Sequence, residues 1–184
     1  MRLSKCFILA VSGYAVPLAF IAVATASAGW FDVVRNALSD LGHATRSSVA
    51  PLFNLGLYLG AFTLAIFASR YSLKYSRAIT YLLLLTALTL GLVAVFDEVY
   101  GVLHFWVSVA FFLSISALLV AYSLKFRSYL LPLVALTTGV LSWVAHLAYR
   151  IPRGAAIPEL VSIFVALPFY LRYSSLVCRS SSDG

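Results

Sequence analysis

Charge is scarce in this sequence: Asp, Glu, Lys and Arg together make up 10% of its 184 residues, while 62% are hydrophobic. The scarcity is concentrated. None of the four occurs in residues 6–31, 47–69, 78–96, 99–124 or 128–149, and Glu159 alone interrupts 154–171. A helix needs about 20 mostly apolar residues to cross a hydrocarbon core ~30 Å thick, so each run is long enough to span. The lack of polar stretches between the runs excludes a separate soluble domain. The lack of alternation along them excludes the strands of a membrane barrel, the one other spanning architecture. The expected fold class is therefore all-α: an integral membrane bundle of six transmembrane helices, forming a single transmembrane domain over 1–184 with spans at about 6–28, 49–69, 79–97, 102–124, 129–149 and 155–173. Nothing ionisable lies midway along a span, which argues against a transporter, whose site sits near the midplane.

Cysteine is nearly absent. Cys6 and Cys178 are not spaced as a metal pair, and the orientation derived below places both at the cytoplasmic side, so they read as small apolar or headgroup-level residues. There is also no H-E-x-x-H and no His pair at i, i+4, which excludes the helix-borne zinc signature.

What is present is a basic excess, with 13 Lys and Arg against 6 Asp and Glu. With the N-terminus in the cytoplasm, Arg2, Lys5, Arg70, Lys74, Arg77, Lys125, Arg127, Arg172 and Arg179 fall inside, and Arg35, Arg46, Arg150 and Arg153 outside. That is the positive-inside bias of a cell-membrane protein with both termini cytoplasmic. The basic residues then meet anionic lipid headgroups rather than nucleic acid. "MRLSK", the apolar run after it and Ala26-Ser27-Ala28 resemble a secretory signal. The run from Cys6 to Ala24 is longer than the usual core of about 7–15 residues, so the first span is expected to stay; cleavage would leave five spans and an outside N-terminus.

Short connections make consecutive helices antiparallel neighbours. "DEVYG" (97–101) reads as a tight outer turn, and "CRSSSDG" as a polar tail without structure. Gly56 and Gly60 in "GLYLG" are spaced for close helix packing in a membrane. Trp30, Trp106, Trp143, Tyr100 and Tyr149 map to the outer interface as an aromatic belt.

The longer outer connection contains "NALSDLGH" (36–43), which is dense in polar groups. Taken as a helix, Asp32, Arg35, Asn36, Ser39, Asp40 and His43 share an arc of roughly 140°, with Trp30, Val33, Val34, Ala37, Leu38 and Leu41 opposite. This predicts an amphipathic interfacial helix over about 30–43. Its polar face either is wet or caps a site on the bundle. All three histidines and five of the six acids map to this side. His104, His146 and Glu159 lie just inside spans, where ionisable groups usually face the bundle interior or a wet cavity. The expected ligand-binding residues are Ser39, Asp40, His43, Asp97, His104, His146 and Glu159, lining an outward-facing cup. As a metal site, the cup would place zinc on His104, His146 and Asp97, with Asp97 or Asp40 as catalytic candidates for lipid hydrolysis. As a structural lock, Asp97 would pair with His104, and Glu159 with Arg150, Arg153 or His146.

"NALSDLG", "FNLGLYLG", "VFDEVYGVLHFWVSVAFF" and "IPELVSIFVALPFYL" together resemble the domain-of-unknown-function 998 family of small prokaryotic and archaeal membrane proteins, from about Asn36 to Leu171. The resemblance implies a six-span bundle in which Ser39, Asp40, Asp97 and His104 share a site, and it carries no established activity. The Ser39-Asp40-Leu41-Gly42 element is also similar to one in the Frag1/DRAM/Sfk1 family, linked to lipid handling and membrane trafficking. Ser39, His43 and Asp97 are similar to part of the ceramidase and adiponectin-receptor superfamily. That superfamily needs an H-x-x-x-H in its last span, and span 6 here has no histidine. The leading expectation is a multi-pass protein whose partners are membrane lipids, held by a headgroup site at the extracytoplasmic face. The alternatives are a metal-dependent lipid hydrolase and a non-catalytic subunit that binds a membrane-protein partner or a second copy of itself.

Overall fold

The computed structural model describes residues 4–181; Arg2 and Asp183 lie outside the described residues. Among these residues there are six helices long and apolar enough to cross a membrane, and no strand. They are α1 (Lys5–Ser27), α2 (Ala50–Phe67, continued by a π-turn through Ser72), α3 (Arg77–Val95), α4 (Val102–Phe126), α5 (Leu130–Tyr149) and α6 (Ala156–Ser180). This is a multi-span helical membrane protein. The α1–α2, α3–α4 and α5–α6 connections gather at one end, here the capped end. The start of α1, the end of α6 and the two remaining connections lie at the other, the terminal end.

Local chemistry sets the helix ends. Ser4 caps α1 by accepting from the Phe7 N–H at 3.2 Å. Pro51 sits in the first turn of α2, where its missing N–H is not needed. Helices α4 and α5 end on left-handed residues, Arg127 (φ 48°) and Arg150 (φ 57°). Helix α1 lies directly against α2 because Gly56 and Gly60 leave room for Phe20 and Pro17. The spacing of "GLYLG" thus does the close packing its pattern implies.

Three expectations need correction. Residues 29–48 do not form an amphipathic α-helix over 30–43. They form turns and one short 3₁₀ helix, Leu38–Gly42. The polar side chains of the segment bond its own backbone instead: Asp32 Oδ1 accepts from Val34 N–H (2.8 Å), Asn36 Oδ1 from Asp32 N–H (2.9 Å), and Asp40 Oδ2 from Ala37 N–H (2.9 Å). Such local bonds offer the chain an alternative to the helix. The tail is not structureless either, since α6 continues to Ser180 with Tyr173, Ser174, Val177 and Cys178 buried. Finally, the cysteines are not filler. Cys6 and Cys178 form a disulfide, with Cα atoms 5.6 Å apart, that joins the first helix to the last.

The apolar core forms two clusters, one toward each end. Helix α5 lies outermost, with Leu130, Leu133, Leu141 and Leu147 exposed as a lipid-facing surface. Trp30, Tyr100, Trp106 and Tyr149 are exposed near the capped end. Trp143 turns inward, its indole donating to Ser162 Oγ at 3.0 Å.

Candidate functional site

The 29–48 segment crosses the capped end as a strap. It is fastened to the α5–α6 connection by backbone bonds: Gly154 N–H donates to Val34 carbonyl (2.8 Å) and Ala156 N–H to Asn36 carbonyl (3.0 Å). A side chain at Gly154 would run into the Arg35–Asn36 backbone, so this close approach requires glycine. A third bond comes from a span: Leu38 N–H donates to Glu159 Oε2 at 2.7 Å. On the other side, Asn54 of α2 donates to Gly42 carbonyl at 3.0 Å. Leu38 and Leu41 point down into the core at 5% and 0% exposure.

The polar density of 36–43 is thereby explained. Asn36 and Asp40 shape the strap, with Asn36 Nδ2 donating to Asp40 Oδ2 at 2.9 Å. Asp40 is also a neighbour of Glu98 and acts on its carboxyl. Burial and then that neighbour push Glu98 up to about 7, with Arg46 opposing. The unfolded chain titrates Glu98 near 4.5, so the folded protein binds the proton more tightly. The resulting stability is fully present below pH ~4.5 and is lost as pH rises through about 7. Melting temperature is expected to fall across that window in the wild type and to change less in Glu98→Gln.

The predicted lock is not built as expected. Asp97 caps the next turn, Oδ1 accepting from Val99 N–H at 2.8 Å. His104 donates from Nδ1 to Phe96 carbonyl at 2.7 Å, closing the end of α3, and Ser108 Oγ lies 3.4 Å from its Nε2. His146 donates from Nδ1 to Pro152 carbonyl at 2.9 Å. His104, His146 and Glu159 are therefore each tied to a backbone group, with Ser108 also beside His104, and not to one another or to the arginines. His43 is half-buried and 3.3 Å from Thr45 Oγ1. Among the described residues, no group of three or more His, Cys, Asp or Glu is placed to hold a metal ion, which leaves zinc without a ligand set. Substituting His104 by alanine would leave a polar backbone carbonyl unpaired. We expect a loss of about 1–3 kcal/mol of unfolding free energy, with no change in metal content.

Ser39 and Glu159 meet at another feature. They line one end of an elongated, partly open cavity of about 120 Å³, walled otherwise by mostly apolar residues from α1, α2, α3, α4 and α6, with Thr86, Ser108 and the tyrosines Tyr14, Tyr122, Tyr170 and Tyr173 among them. The wall runs from Glu159 to Tyr173 on α6 and from Ser108 to Tyr122 on α4. At 1.5 Å per residue each stretch is about 21 Å long. Glu159 Oε2 is committed to the strap, and Oε1 has no partner among the described residues.

Residues 10–172 match the family described as "Protein of unknown function (DUF998)". The chain belongs to the DUF998 family. No curated protein and no solved structure matches it. For this DUF998 member, three contributors were not among the expected site residues. Glu98 was marked only by its adjacency to Asp97, Asn54 by being the one amide in an apolar span, and Ser108 by lying one turn beyond His104.

Proposed function

We propose that this DUF998 protein binds the polar head of a membrane lipid at its capped end, on the extracytoplasmic side. The observation that carries the reading is Glu159, a carboxyl-bearing residue in a spanning helix that lines a mostly apolar cavity together with Ser39. Ionisable groups at such depth are costly and mark functional sites by default. A mostly apolar pocket with a few convergent polar groups is the usual form of a small-molecule site. The orientation draws on the nine basic residues assigned to the terminal end against four at the other. Ser39 and Glu159 contact the head, with Asp40 and Glu98 beside them; Asp97, His104 and His146 hold the surrounding turns in place.

Native mass spectrometry of protein extracted in polymer-bounded native discs tests the reading. A bound lipid is expected in the wild type and at reduced occupancy in Glu159→Leu. A lipid-free wild type, or equal occupancy in a folded Glu159→Leu protein, would overturn it. A second reading, a non-catalytic structural subunit, draws on the backbone bonds of His104 and His146. It expects substitutions at the capped end to alter stability and leave lipid occupancy unchanged.

A further inference from the structure

A second site lies at the opposite end of the bundle from the strap. We propose that the α2–α3 turn seats the head of a net-anionic phospholipid, with Lys74 and Arg77 holding its phosphate and its acyl chains lying along α3.

The charge balance of the terminal end is one-sided. Setting aside Arg2 and Asp183, the chain has twelve basic and five acidic residues; eight of the basic ones and none of the acidic ones lie at this end. Within it, an open hollow is lined by Leu73, Lys74, Tyr75, Ser76, Arg77 and Tyr81. Lys74 and Arg77 are exposed and have no hydrogen-bond or ion-pair partner among the described residues. A guanidinium presents two parallel donors to a phosphate, and an ammonium adds a point charge. The same two cations repel the ammonium of a zwitterionic head, so a head with net negative charge is preferred.

The turn is held in place by three helices. Lys125, near the end of α4, donates from Nζ to the Tyr75 carbonyl at 3.3 Å and stands 4.7 Å from the centre of its ring. The Tyr75 ring meets Tyr173 of α6 edge-on, with centres 5.7 Å apart. Tyr173 Oη lies 2.6 Å from Ser72 Oγ, which accepts from Thr80 Oγ1 of α3 at 2.7 Å. A turn fixed in this way pays little ordering cost when it takes up a head.

The surface below the hollow points to a lipid rather than a free anion. Tyr81, one turn into α3, is exposed at its edge, and Leu85 and Leu88 are exposed farther along the same helix. At spacings of four and seven residues the three share one face. They give acyl chains an apolar track that starts beneath the head, with Tyr81 at the interface where tyrosine is favoured.

Photo-crosslinking of the full chain in phosphatidylcholine discs tests the site. The probes, added at low mole fraction, are a phosphatidylglycerol and a phosphatidylcholine that carry the same diazirine-bearing acyl chain. Each Lys or Arg near an anionic head is worth roughly fivefold, so phosphatidylglycerol is expected to label α3 between Tyr81 and Leu88 at least about tenfold more than phosphatidylcholine. Lys74→Gln/Arg77→Gln should remove most of that excess. Lys5→Gln/Arg127→Gln makes the same charge change at the same end, outside the hollow, and should retain it. All four side chains are exposed, and melting curves check that both variants fold. Equal labelling by the two lipids, or an equal loss in the two double variants, would overturn the site in favour of diffuse attraction to the basic surface. Loss of labelling on adding millimolar inorganic phosphate at constant ionic strength would assign the hollow to a free anion and overturn the lipid.

Discussion

Gly56→Ala is expected to lower the unfolding free energy of the bundle by about 3 kcal/mol, the upper part of the usual overpacking range. The added methyl would fall on Phe20 Cβ and 2.6 Å from its Cγ. These atoms sit near the α1 backbone, so they cannot swing away as a flexible chain end could, and α1 itself must shift. Gly60→Ala should behave similarly, because its methyl would meet the rigid Pro17 ring at 2.6 and 2.7 Å. Gly91→Ala supplies the contrast. Its methyl meets only Ala61 Cβ, at 3.8 Å, and alanine is the better helix former by up to about 1 kcal/mol, so this variant should be neutral or slightly more stable. Equilibrium unfolding of the three proteins in mixed micelles measures the difference. Equal stability of Gly56→Ala and Gly91→Ala would contradict the packing described here. Since Pro17 and Leu57 also line the cavity, a displaced α1 should impair ligand binding as well.

The second large effect concerns the chain ends. A disulfide between residues 172 positions apart would restrict a random coil by about 5 kcal/mol on the chain-entropy argument. A membrane protein that loses tertiary structure keeps much of its helix, so it has less freedom to lose. The Cys6→Ser/Cys178→Ser double variant is therefore expected to lose about 2–3 kcal/mol. Maleimide-polyethylene glycol should label the wild type only after reduction under denaturing conditions, and labelling of both cysteines without reductant would refute the bond. The orientation proposed from the basic residues would put this pair on the cytoplasmic side, where thiols are ordinarily kept reduced. The bond is compatible with that proposal because Cys6 and Cys178 are 5% and 6% exposed, which shields it from soluble reductants.

The six-span bundle was legible because long charge-free runs have one stable arrangement in lipid, with every backbone group satisfied inside a helix. The strap was not. A 100° period measures how side chains would distribute if a helix formed, and it is silent about Asp32, Asn36 and Asp40 competing for the same N–H groups. The polar residues of the capped end could be listed from the sequence, but the groups they pair with could not. Asp97 and His104 do flank one turn, yet each satisfies the backbone of that turn, a demand that sequence spacing does not express. Glu159 was recognisable from its depth. Its bond to Leu38, 121 residues away, is a tertiary fact. The helical end of α6 and the disulfide were hidden for the same reason, since both depend on the last helix docking beside the first.

That docking changes how the molecule responds to force and to cutting. With Cys6 bonded to Cys178, residues 6–178 form a closed covalent circuit. Tension applied to the two ends passes across one sulfur–sulfur bond and never reaches the helices, so none can be peeled out in sequence. A single protease cut in any connection opens the circuit without releasing a fragment; two are needed to divide the molecule. The strap can be severed while everything around it stays tethered.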